Sequence, residues 1–391
     1  MTRSLFTQTE LPFLLVFNNK EEAAYYLNDM EQLVGEKDVL FYPASFRRPY
    51  QIEETDNANV LLRAEVLNRI NSRKKPAVIV TYPEALFEKV VTRKELDKNT
   101  LKVAVNDKIS IDFINEVLFE YEFKRVDFIT EPGEFSVRGG IVDVFSFSND
   151  NPYLIEFFGN EVESIRTFDV ATQLSIETKK KITIIPNVEN SFFQENRESF
   201  LDYISPQTVI FIQNTELLLA DLDKHFGKAE EAFAKLSQEI KRATPEQLFL
   251  NQASFIKRAL DFSVVEWGSK AIFKTLKTFP FHFQPQPSFN KQFDLLLNNL
   301  NENHFNGYKN YLFCSNDGQV KRFHDIFESL DEANAENIRK QYHTIVLPMY
   351  QGFIDDENQI ACYTDHQIFE RYHKFSIKNG YSKKQNITLK E

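Results

Sequence analysis

Arg138 is the residue whose neighbours say most about chemistry. It follows the β-branched Val137 and precedes the paired glycines Gly139 and Gly140. An arginine set beside bare backbone is placed to grip a carboxylate with two parallel hydrogen bonds. Two sources of that carboxylate are open: an ion pair within the domain, to Glu131, Glu134 or Asp143, or an acidic group on a partner. From the residues alone the internal pair is the simpler of the two.

Other chemistry is poorly supplied. The 391 residues include only 11 glycines, where average usage would give about 27. Phosphate-cradling loops need several glycines together, because backbone N–H groups must reach the ligand past no Cβ. Neither G-x-x-x-x-G-K nor G-x-G-x-x-G occurs, and four of the glycines fall between Gly133 and Gly159. The seven histidines run from His225 to His373, and none has H-E-x-x-H or H-x-x-x-H spacing. Lone histidines such as His343 are more often structural than ligands. No G-x-S-x-G is present. Cys314 ends a predicted strand, so a buried thiol is the better expectation than a nucleophile. Glu53-Glu54 and Asp355-Asp356 are expected in solvated loops.

The bulk numbers set the frame. A chain of 391 residues suggests two to four domains, and 42% hydrophobic with 14% aromatic content describes folded protein rather than disorder. A net charge of −11 argues against broad binding to nucleic acid or anionic membrane. Two cysteines, Cys314 and Cys362, make neither a disulfide framework nor a zinc site, and fit a cytoplasmic protein. The longest strongly apolar run, Leu11–Phe17, is far short of the ~20 residues a membrane span requires. It lacks the flanks of a signal peptide and is expected as a buried strand.

The elements that must position Arg138 follow from hydrophobic periodicity. Over residues 1–107 strands and helices alternate: strands at Leu11–Phe17, Asp38–Tyr42, Ala77–Tyr82 and Lys102–Val105, with helices at Asn19–Val34, Asn59–Ile70 and Pro83–Val90. A helix near Ile111–Tyr121 opens the next region. Period-2 stretches then occupy Arg125–Thr130, Glu134–Val137, Gly140–Phe147, Tyr153–Phe158, Glu161–Phe168 and Lys181–Ile185, separated by turns at Pro132-Gly133 and Gly159-Asn160. This predicts an inserted, mostly antiparallel β-rich domain over 108–187. The α/β pattern returns over 188–283, with helices at Arg197–Ile204 and Thr215–Arg242 and strands at Thr208–Ile212, Ser263–Glu266 and Ala271–Phe283. Residues 284–290 are expected as a linker, 291–376 as a third, small α/β domain, and 377–391 as a further linker.

The stretch PGEFSVRGGIVDVF, followed by IEFFGNEVESIRTFD and the run to Ile184–Asn187, resembles the middle domain shared by the excision-repair helicase UvrB and the transcription-repair coupling factors (Mfd). Less specific similarity covers Leu40–Ile70, Pro76–Leu86, Pro285–Phe289 and Leu347–Tyr372. The coupling-factor family is the closer match. UvrB carries a P-loop and a long tyrosine-rich hairpin, whereas Ala44–Asn57 is too short for that hairpin, and its Phe46 and Tyr50 do not reproduce the aromatic cluster.

The resemblance implies an α/β multidomain chain. A degenerate RecA-like domain without a P-loop would hold the inserted β-rich domain, and a further small α/β domain would follow. It implies an N-terminal fragment that is not itself an enzyme, with ATP and Mg needed only by motor domains beyond this chain. It implies that the fragment recruits the damage-recognition ATPase UvrA to a stalled RNA polymerase in nucleotide excision repair. RNA polymerase and DNA would be met through other domains, a C-terminal domain of the same protein would mask the UvrA surface, and no membrane is involved. The contact positions fall on Arg138, Phe158 and Leu154, where the family has arginine in place of this leucine. Arg166 or Arg125 would be the basic group able to compensate. Phe158 could equally be core. Two rival expectations are a UvrB-like ATP-dependent DNA helicase acting on damaged DNA, and direct DNA binding through Arg47-Arg48.

Overall fold

The computed structural model describes residues 2–45, 50, 57–72, 75–147, 149–187, 197–235, 243–268, 270–275, 277–330 and 335–371. Arg47-Arg48, Phe46 and the expected linker 377–391 lie outside them. The architecture is mixed α/β, with two compact units.

The larger unit contains a parallel sheet of five strands in the order Ser263–Glu266, Val209–Ile212, Phe13–Val16, Val78–Thr81, Val39–Phe41. The central strands read FLLV, VIVT and VIFI, runs of β-branched and aromatic residues suited to burial on both faces. Phe13–Val16 hydrogen-bonds to Val78–Thr81 on one side and Val209–Ile212 on the other. Between those two partners in sequence the chain builds a second sheet. Leu101–Ala104 pairs antiparallel with Lys181–Ile184, tying the start of that excursion to its end. This strand therefore belongs to the insertion and not to the parallel sheet, because its partner lies at the far end of the β-rich segment.

The second sheet has six strands in the order Ser175–Thr178, Glu161–Phe168, Tyr153–Phe158, Ile141–Val144, Glu134–Arg138, Lys124–Arg125. All neighbours are antiparallel except the last pair. Phe135, Val142, Val144, Ile155, Val162 and Ile165 fill its inner face. The helix Ile111–Glu120 contributes Ile114 and Leu118 to the interior, its first turn capped by Ser110. One expected strand is shorter here, and one further strand is present. The strand expected over Arg125–Thr130 is regular only over Lys124–Arg125, and the chain turns further on, where the N–H groups of Thr130 and Glu131 and the Thr130 hydroxyl all donate to the Glu134 carboxylate. Ser175–Thr178, exposed throughout, carries no buried alternation that would mark it as a strand.

The second unit comprises Ala24–Lys37 with Lys274–Ile377, besides a short C-terminal stretch. Its sheet runs Phe283–Pro285, Phe353–Asp355, Ile360–Thr364, Lys309–Cys314, Tyr342–Val346. The core comes from the helices Phe293–Phe305 and Asp317–Leu330, with Leu296, Leu300, Phe323 and Phe327 packed on Leu312 and Tyr363. The strand expected over Ala271–Phe283 is absent among the described residues of that stretch, save for Phe283. Gln284-Pro285, expected as linker, instead forms the edge strand with Phe353–Asp355. Proline is tolerated there because an edge strand leaves one row of backbone groups unpaired. Cys314 and Cys362 are buried, and burial pushes both thiols up to about 12, which makes them inert.

Candidate interaction face of the six-stranded sheet

Arg138 ends the strand Glu134–Arg138, and Phe158 ends Tyr153–Phe158. Both strands run to the same end of the sheet, where the hairpin turns Gly139-Gly140 and Gly159-Asn160 lie. Gly139 has a φ of +58°, which a side chain rarely adopts, and a Cβ on Gly140 would sit 3.0 Å from the Phe157 carbonyl oxygen. The turn beside Arg138 is therefore bare by necessity.

Residues directly opposite one another in the ladder share a face. The register pairs Ser136 with Asp143, Asp143 with Leu154, and Leu154 with Arg166. One step toward the turns it pairs Arg138 with Ile141, Ile141 with Glu156, and Glu156 with Ser164. Arg138, Leu154 and Phe158 thus lie on one face, the one opposite the core-facing row of Phe135, Val144 and Tyr153. The sheet brings together the three positions singled out in the sequence.

Arg138 is half exposed and forms an ion pair with Asp143, which is only 3% exposed. The internal pair weighed from the sequence is therefore present, and Asp143 is the partner among the three candidates. It does not consume the arginine, whose side chain is 49% exposed. Burial raises the Asp143 carboxyl above the ordinary range, against the opposing pull of Arg138. Its Oδ1 has no hydrogen-bond donor among the described residues. Phe158 is 81% exposed, which corrects the core expectation for that aromatic.

Leu154 is partly buried. Of the two arginines considered as substitutes, Arg166 lies directly across from it, and pairs with Glu156. Arg125 lies opposite Phe135, on the other side of the sheet from Leu154, and is exposed on the edge strand. Phe128 was missed in the sequence. Its ring lies 5.9 Å from the Arg138 guanidinium carbon, and it is 67% exposed. The only local signal was an aromatic four residues ahead of the Pro132-Gly133 turn.

The region where a phosphate loop would lie has its own geometry. Only Phe17, Asn18 and Asn19 separate the strand Phe13–Val16 from the helix Lys20–Val34. The Asn19 side chain accepts from the Glu22 N–H at 2.9 Å, and the Asn18 amide donates to the Glu22 carboxylate at 3.0 Å. Glu21 and Glu22 thus place negative charge at the helix end where an anion would otherwise be favoured. Among the described residues no three His, Cys, Asp or Glu side chains group to hold a metal, and no helix is long and apolar enough to cross a membrane.

Residues 101–189 match the family described as UvrB interaction domain. The chain is similar to the transcription-repair-coupling factor of Bacillus subtilis (strain 168), with 32% identity over 189 residues, covering 48% of this chain and 16% of the relative. It is also similar to the factors so named in Rickettsia bellii, 29% identical over 51% of this chain and 18% of the relative, and in Staphylococcus aureus (strain USA300), 29% identical over 47% and 16%. The match spans about one sixth of the length of these relatives.

Proposed function

We propose that this chain is a non-catalytic interaction module of transcription-coupled nucleotide excision repair, which binds UvrA through the outward face of its six-stranded sheet. In a complete coupling factor it would bring UvrA to a stalled RNA polymerase, and a C-terminal domain would cover the same face until then. The supporting observation is the exposure of Arg138 and Phe158 on one face of the segment that matches the UvrB interaction domain. Interface hot spots favour arginine and aromatic residues held on a rigid scaffold. The parallel-sheet unit is, on this proposal, a degenerate RecA-like domain that works without nucleotide. The acidic first turn of the helix Lys20–Val34 supports that part.

The test is direct. Purified chain and UvrA are titrated by calorimetry at low and moderate salt, with ATP added to the chain in a separate titration. Saturable binding to UvrA and none to ATP is expected. Absence of UvrA binding at tens of micromolar would sink the proposal, and saturable ATP binding would return the helicase alternative.

A further inference from the structure

Phe128 has no role in what precedes, yet it stands in the same row as Arg138. The backbone continues past Lys124–Arg125 alongside Glu134–Arg138: the Val126 N–H donates to the Phe135 carbonyl at 2.9 Å, and the Ser136 hydroxyl donates to the Asp127 carbonyl at 3.2 Å. Lys124 pairs with Glu134 and Arg125 with Phe135, so the same register carried forward sets Phe128 beside Arg138. The ring contact confirms it. Arg138 is therefore held from two sides, by the Asp143 carboxylate below and the Phe128 ring beside it.

Two-thirds of Phe128 faces solvent, although an isolated exposed phenylalanine gains nothing from that position. The partly buried Ile141 lies directly opposite Arg138, and Phe158 is exposed on the same face. Of the other cations on this face, Arg166 is paired with Glu156, and Lys124 is exposed on the short edge strand opposite Glu134.

We infer that Phe128 is a specificity-determining contact of this face: it fixes the Arg138 guanidinium and covers it on docking, so that the face accepts a protein surface presenting one carboxylate ringed by apolar side chains. The inference rests on the proposal that UvrA docks here. Charge complementarity selects the carboxylate, and the two exposed rings select its apolar surround.

The experiment measures UvrA affinity for the whole chain with Phe128→Ala, Phe128→Trp and Arg138→Ala. Phe128→Ala should lose about tenfold or more in affinity with its thermal midpoint unchanged, and Phe128→Trp should bind as well as the parent. In Phe128→Ala/Arg138→Ala, the loss should be close to that of Arg138→Ala alone, because the ring acts largely through the guanidinium. If Phe128→Ala binds within twofold of the parent while Arg138→Ala is impaired, the inference is overturned and the docking proposal stands. If neither substitution changes binding, the docking proposal itself fails.

Discussion

Asp143 stands directly opposite Leu154 in adjacent antiparallel strands, with its Oδ2 on Arg138 and its Oδ1 without a donor among the described residues. A buried carboxylate thus has one charged partner and one apolar neighbour. Replacing Leu154 with arginine would put a guanidinium within cross-strand reach, since directly opposed Cβ atoms lie about 5 Å apart. Arg166 faces Leu154 from the other neighbouring strand, and like charges directly opposite one another are destabilising. Leu154→Arg is therefore expected to change domain stability by less than about 1 kcal/mol, read as the unfolding midpoint, while tightening UvrA binding. A variant that is as stable but binds no better would mean that the partner offers no carboxylate opposite this position.

Arg138→Ala separates docking from folding when a second substitution is added. A charge-assisted contact is worth about 1.5–3 kcal/mol, so UvrA affinity should fall roughly tenfold or more. The variant also leaves Asp143 buried without its cation, and should lose stability by about 1–3 kcal/mol. Adding Asp143→Asn should restore much of the stability in chemical denaturation and none of the affinity.

Phe157 and Phe158 are neighbours with opposite fates. Phe158→Ala should leave stability within about 0.5 kcal/mol of the parent while weakening UvrA binding. Phe157 is 8% exposed and points to the core side, so Phe157→Ala should cost about 3–5 kcal/mol in urea unfolding. Equal destabilisation by the two would contradict the face assignment.

Asp29, in the second unit, is buried and accepts the Tyr350 backbone N–H at 2.9 Å. Burial pushes its carboxyl from 3.8 up to about 7. The folded state then holds a proton that the unfolded chain has already released between those values, so this group's contribution is favourable in acid and is lost as pH rises through about 7. Asp29→Asn keeps the acceptor and removes the titration. It should be more stable than the parent at pH 8, by up to about 4 kcal/mol, with the gap closing toward pH 4. A gap independent of pH would refute the assignment.

Much of the arrangement was legible before any coordinates. The strands Phe13–Val16, Val78–Thr81 and Val209–Ile212 are apolar enough on both faces that only a buried parallel sheet accommodates them. Alternation over Tyr153–Phe158 and Glu161–Phe168, with Gly159-Asn160 between, fixed that hairpin and put Leu154 and Phe158 on one face. What the sequence left open was partner choice. Leu101–Ala104 looks the same as a strand of either sheet, and only its pairing with Lys181–Ile184 assigns it. Gln284-Pro285 resembles a linker until Phe353–Asp355, about 70 residues on, supplies its hydrogen bonds.

The candidate face divides the same way. The sequence by itself determined that an arginine would stand against bare backbone, because two residues without a Cβ, Gly139 and Gly140, follow it directly in the chain. Only the tertiary structure decided which carboxylate meets Arg138, that Phe158 is exposed rather than core, and that Phe128 lies beside the guanidinium. Each of those depends on register between strands distant in sequence, which local propensity does not encode and long-range packing does.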